Sequence, residues 1–273
     1  MLVDSHAHLD MPEFASDRAD VILRAVSEGV GCIITVGCDL ASSRAALQLA
    51  ESFPQVYAAM GFHPHDAHKL RPSDLAELKA LCQHPKVVAV GEMGLDFYRQ
   101  LSPREEQQRA FEAQLSLAAE CNLPVVVHCR GALAETHAVV SRWVQTLDVK
   151  GNQPLGVMHC FGGSREEAQH YLKMGFLISI AGPITFPNAR RLRELAIHLP
   201  LESLLLETDC PFLSPNPWRG QRNEPAYLKQ TAEVVAQLRG VSLQVVAQQT
   251  SENAQRLFPR ARQGLEVMER NPL

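Results

Sequence analysis

Eight short apolar runs, rich in β-branched residues, recur along the chain at spacings that leave room for a helix between them. They are "MLVDSH" at the start, then "GCIITVG" (31–37), "VYAAMGF" (56–62), "VVAVGE" (87–92), "PVVVH" (124–128), "LGVMH" (155–159), "GFLISI" (175–180) and "SLLLET" (203–208). Most are continuous rather than alternating, the pattern of parallel strands covered on both faces. The segments between them carry helical periodicity. Residues 17–28, 41–52, 73–82, 132–146 and 188–198 read as amphipathic helices, and two more are expected at 225–239 and 242–257. "SPREEQQRAFEAQLSLAAECN" predicts a helix with Ser102 as N-cap, Pro103 at the first helical position and Glu105 completing a capping box. "SREEAQHYLKMG" repeats the design with Ser164, Glu167 and a stop at Gly175.

Eight strands alternating with helices predict an α/β fold of the (β/α)8 TIM-barrel type, which typically takes about 250 residues. The chain has 273. An open doubly wound sheet is the alternative, but no G-x-G-x-x-G follows a strand. The expected organisation is one barrel domain over residues 1–258 and a polar surface tail over 259–273. The seven cysteines include no C-x-x-C pair, which points to reduced thiols rather than disulfides or a zinc ribbon. The start of the chain shows no secretory pattern, and no apolar run reaches the roughly 18 residues of a spanning helix. The expectation is therefore a cytoplasmic protein with no membrane association and no obligate protein partner.

In such a barrel the C-terminal ends of the strands converge on one mouth. Strand one ends in "DSHAHLD", strand three in "GFHPH", strand four in Glu92, strand five in His128, strand six in His159 and strand eight in "ETD". Strands two and seven alone end without an ionisable group within reach. Side chains two apart on a strand share a face, so His6 and His8 are placed to bind one ion together. Asp4, one step deeper, is a candidate to orient them from behind, and Asp10 falls in the loop beyond. His68, His84, His137, His170 and His198 fall in helices or loops and read as structural. Glu92 closes a very apolar strand, where an unpaired carboxylate is costly and a metal is the simplest compensation. Mixed imidazole and carboxylate ligation suits zinc, manganese, nickel, iron or a hydrated magnesium. Six such groups exceed one open site, whereas two ions sharing a carboxylate use them all.

Together "DSHAHLD", "GFHPH", "GEMGLDFY", "VVVHCR", "MHCFGGS", "LLLETDCPFLSP" and "RGQRNEP" resemble the TatD family of metal-dependent hydrolases and deoxyribonucleases, from residue 2 to about 258. Ala7 and Cys210 stand where other small residues are common in that family, and neither is a proposed ligand. The resemblance implies two divalent metal ions (Mg, Mn or Zn). His6, His8 and Asp209 would hold one, His128 and His159 the other, with Glu92 bridging. It implies phosphodiester hydrolysis, as a 3′-5′ exonuclease-type deoxyribonuclease. On that basis Asp209 is the expected general base, and His63 binds a phosphate oxygen or protonates the leaving group. Arg130, Arg219 and Arg222 are candidates for substrate phosphates. Glu207, two residues before Asp209, is expected to stand behind the ligands. A barrel acting on an ester or amide, such as a D-aminoacyl-tRNA deacylase, is the alternative. A metal-binding regulator without turnover is disfavoured, since it needs neither an open mouth nor a bridging carboxylate. The net charge of -4 and the lack of a Lys/Arg-rich stretch argue against a duplex-tracking surface, so the expected partner is nucleic acid presented as single-stranded ends.

Overall fold

The computed structural model describes residues 1–148, 151 and 153–261. The apolar runs become eight strands: β1 (Leu2–Ala7), β2 (Val30–Val36), β3 (Val56–Met60), β4 (Val87–Asp96), β5 (Val125–Arg130), β6 (Gly156–Met158), β7 (Phe176–Ile180) and β8 (Leu204–Leu206). All pair in parallel in chain order. The ring closes where Ala7 bridges Cys210, and Asp209 N–H donates to His6 O at 2.9 Å. This is the (β/α)8 barrel that the spacing predicts. Between and after the strands, among the described residues, run α1 (Arg18–Ser27), α2 (Leu40–Ser52), α3 (Pro72–Leu81), α4 (Arg104–Cys121), α5 (Leu133–Thr146), α6 (Arg165–Lys173), α7 (Arg190–His198), α8 (Leu228–Arg239) and α9 (Leu243–Leu257). No helix among the described residues is long and apolar enough to cross a membrane.

The wall separates two apolar layers, as residues of opposite parity on each strand require. Ile33, Met60, Val127, Ile178 and Leu206 face the helices. Ile34, Val88, Val126, Val157, Leu177 and Leu205 fill the barrel, together with Leu257, Phe258 and Ala261 from the C-terminal segment. Arg260 fastens that plug by donating to the carbonyls of Cys82 and Val87, both at 2.8 Å, at the N-terminal end of β4. The packed fold therefore runs to Ala261, three residues past the expected boundary at 258. The rest of the expected tail, 262–273, lies outside the described residues.

Local expectations differ from the structure in two places. Helix α4 starts one turn position later than its "SPRE" signature predicts, with Pro103 as its uncapped N-cap. The Ser102 hydroxyl is drawn into tertiary contacts instead, donating to His65 O and meeting His68 Nδ1, each at 2.7 Å. Strand β4 runs on to Asp96 rather than ending at Glu92. By contrast, α6 has the expected reciprocal box between Ser164 and Glu167, and Gly175 follows it at φ +84°.

Candidate metal centre

Two irregularities in the ladder lie at the site. The β1–β2 register slips between Asp4 and Ala7, and the β4–β5 register slips between Val90 and Met93. Such slips re-aim side chains at a barrel rim. Here they coincide with His6 and with Glu92. Gly91 lies within the second, at φ +135°, and Gly94 follows it at φ +143°; a Cβ would collide with the carbonyl oxygen of Val126 at the first and of His128 at the second. That conformation and that closeness together require glycine.

His6, His8, Asp209 and Glu92 converge. His6 Nε2 lies 3.2 Å from His8 Nε2, 3.4 Å from Glu92 Oε2 and 3.8 Å from Asp209 Oδ1. His8 Nε2 lies 3.8 Å from Glu92 Oε2 and 3.4 Å from Asp209 Oδ1. A tetrahedral ion with bonds of about 2.0–2.2 Å needs ligand-to-ligand edges of about 3.3–3.6 Å. The four donors are therefore spaced to accept one divalent cation. His8 Nδ1 meets Val36 O at 2.9 Å, which puts the proton there and leaves the Nε2 lone pair free for a metal.

The other Glu92 oxygen faces a second set of imidazoles. Glu92 Oε1 lies 2.7 Å from His128 Nδ1 and 3.5 Å from the Nε2 atoms of both His63 and His159. His63, Glu92 and His128 have donor atoms mutually within 4.8 Å, and so do His6, His159 and Glu207. The family resemblance pairs His128 with His159 around Glu92; the structure sets His63 beside them at the same distance from Oε1 as His159. Burial would raise the Glu92 carboxyl, but the charge on His159 and the hydrogen bond from His128 hold it well below the ordinary range. Burial pushes His63 down to about 3, so its imidazole is neutral.

Around these groups stand residues that orient them. Glu207 Oε1 lies 3.1 Å from His159 Nδ1 and accepts from Cys160 N–H at 2.6 Å, on the opposite side of that imidazole from Glu92. Asp4 does not touch the rings of His6 or His8, contrary to the sequence expectation. It accepts from Thr208 N–H at 3.0 Å, Thr208 Oγ1 at 2.6 Å and His6 N–H at 3.3 Å, tying β1 to the segment that carries Asp209. Asp96 was not anticipated. Its Oδ2 lies 2.8 Å from His65 Nε2 and 3.4 Å from His128 Nε2, while Oδ1 accepts from Tyr98 and Arg99 N–H. The signal was present in "GEMGLD": Glu92 and Asp96 are four apart, and equal parity puts both on one face once β4 is extended. Strand two also supplies a group, against expectation: Cys38 Sγ lies 3.7 Å from His8 Nδ1.

The three candidate arginines are all engaged. Arg222 pairs with both oxygens of Asp17 at 2.7 Å, donates to Glu13 O and covers the Phe14 ring. It braces the loop after β8 against the start of α1, an engagement that the sequence does not reveal. Neighbouring Asn223 donates to the Thr208 and Phe212 carbonyls on either side of Asp209. Arg130 lies over the Tyr98 ring at 4.2 Å, and Arg219 over Phe186 at 4.5 Å. Both rest on aromatic faces rather than on carboxylates.

The model of the family described as TatD related DNase matches residues 3–259. The uncharacterized metal-dependent hydrolase YabD of Bacillus subtilis is 44% identical over 259 residues, covering 94% of this chain and 99% of YabD. The 3'-5' ssDNA/RNA exonuclease TatD of Salmonella typhimurium is 39% identical over 264 residues, covering 94% of this chain and 98% of that protein. The crystal structure of YJJV, a TatD homolog from Escherichia coli, superposes with a TM-score of 0.86 at 34% identity, covering 94% of this chain and 98% of YJJV. A barrel mouth of converging imidazoles and carboxylates, joined to matches that run nearly end to end, means that this chain belongs to the TatD family of metal-dependent hydrolases.

Proposed function

We propose that the protein removes nucleotides from the 3′ ends of single-stranded DNA or RNA by metal-dependent phosphodiester hydrolysis. The observation that carries the reading is the buried Glu92 carboxylate, whose two oxygens face different groups of imidazoles. One open catalytic zinc-type ion takes three protein ligands. The donors gathered here exceed that number and suit two ions sharing a carboxylate, an arrangement that phosphodiester-cleaving sites use. In this reading His6, His8 and Asp209 would hold one ion and His128 and His159 the other, with Glu92 shared between them. Divalent ions bound there would lower the pKa of water and neutralise charge on the phosphate.

The residues divide the remaining work. Asp209 takes the proton from the attacking water, because its carboxylate reaches the mouth with a side chain 14% exposed while Glu92 is sealed at 2%. His63 is held neutral by burial, which suits an N–H donor to a phosphate oxygen better than a proton donor to the leaving group. Glu207 and Asp96 hold His159 and His128 in place. The name of the Salmonella relative supports the polarity and substrate, and the net charge of -4 supports ends over duplex tracks. The free state of all seven cysteines supports a reducing, cytoplasmic setting.

The test is a panel of single-stranded DNA and RNA labelled at either end, closed circular duplex and D-aminoacyl-tRNA, each with magnesium, manganese or zinc. Expected are ladders shortened from the 3′ end, an intact circle and two metal equivalents per chain by elemental analysis. Deacylation of the tRNA without shortening of any strand would replace this reading with the ester hydrolase.

A further inference from the structure

Two exposed aromatic rings stand on opposite sides of the barrel mouth. Tyr98 follows β4 and is 70% exposed. Its N–H donates to Asp96 Oδ1 at 2.9 Å, and the other oxygen of that carboxylate lies 3.4 Å from His128 Nε2. Arg130, two residues past His128, lays its guanidinium over one face of the Tyr98 ring at 4.2 Å. Phe212 follows β8 and is 47% exposed. Its N–H donates to Asp209 O at 2.9 Å, and its ring centre lies 6.2 Å from that of His8. In the closed ring β4 and β8 are separated by three strands in either direction, so the two residues leave the barrel on opposite sides of its mouth.

Each residue is thus tethered through its backbone N–H, Tyr98 to Asp96 beside His128 and Phe212 to Asp209, and each keeps much of its surface open to solvent. Exposed aromatic faces beside a phosphate-binding site stack nucleobases of any sequence, and an arginine on the far face adds a cation to the stack. We propose that Tyr98 with Arg130 and Phe212 are two nucleobase platforms, one on each side of the phosphate being cut, so that the site takes a strand end with its last two bases splayed apart. The proposal rests on the nucleic-acid reading above and adds which residues hold the bases. It also gives the preference for single strands a steric cause: a duplex must unpair and unstack its terminal bases to reach both rings, whereas a single strand need not.

The test is equilibrium binding of a short single strand with cleavage-resistant phosphorothioate ends, beside the same strand with abasic sugars at its last two positions, read by fluorescence anisotropy. The wild-type protein should prefer the base-bearing strand by about ten-fold or more, the scale of base–aromatic stacking. Tyr98→Ala and Phe212→Ala should each remove about ten-fold of binding to the base-bearing strand, the double variant should lose the preference, and Tyr98→Phe should keep it. A wild-type protein without the preference, or a double variant that retains it, would overturn the platforms. Wild-type protein that binds neither strand would overturn the nuclease reading and the platforms together.

Discussion

The two ends of this barrel are built from the same eight strands and do opposite things. At the N-terminal end, Leu257, Phe258 and Ala261 close the lumen against Val88, Val157 and Leu205, and Arg260 satisfies carbonyls beside the plug. At the C-terminal end the lumen opens onto five imidazoles and the carboxylates of Glu92 and Asp209. Apolar groups at the closed end gain by leaving water. Polar groups gathered at the open end are stable only when each has a hydrogen bond, an ion pair or a ligand. The lesson is a division of labour along the strand axis: burial at one end supplies stability and leaves the other end free to hold groups that contribute little to it.

Mutations sharpen that division. The largest effect on activity should come from Glu92→Ala, which removes the carboxylate shared by both imidazole groups. Turnover should fall by about 1,000-fold or more, the scale of losing a preorganised charge-stabilising group, while circular dichroism shows the fold retained. Near-normal turnover would show that the open end does not depend on a bridge. Phe258→Ala should do the reverse. Loss of a fully buried ring at the closed end should cost about 3–5 kcal/mol in denaturant unfolding, with kcat of the folded fraction close to wild type. Asp96→Asn should lower metal affinity by roughly 10–100-fold, read by titration with cobalt or zinc, because it orients His128 and His65; unchanged affinity would make Asp96 a loop brace only. Arg222→Ala should have the smallest effect on catalysis, leaving KM for a single strand near wild type, since that guanidinium is spent on Asp17 and Phe14. A large rise in KM would return Arg222 to the substrate.

Much of the centre was legible as strand-end chemistry. His6 and His8, Glu92, His128, His159 and Asp209 each terminate an apolar run, and all of them meet within the mouth. The misses have a common cause. Asp4, Arg222 and Ser102 make contacts that their neighbours in the chain do not reveal, because their partners Thr208, Asp17 and His65 lie 204, 205 and 37 residues away. Cys38 and Asp96 were missed because a strand's visible end is its last apolar residue, and both lie beyond that point.

By itself the sequence determined the class of the fold and the chemical character of one end of it. Hydrophobic runs long enough to be covered on both faces leave few alternatives to a parallel barrel, and residues ending such runs share one rim whatever their partners. Only the tertiary structure decided which imidazole faces which Glu92 oxygen. That depends on two register slips, on Gly94 letting β4 approach His128, and on the closure that sets Asp209 beside His6. The reason is one of scale. Burial tolerates shifts of an ångström without changing which residues are apolar, but metal ligation and hydrogen bonding do not, and offsets of that size are set by packing across the whole ring.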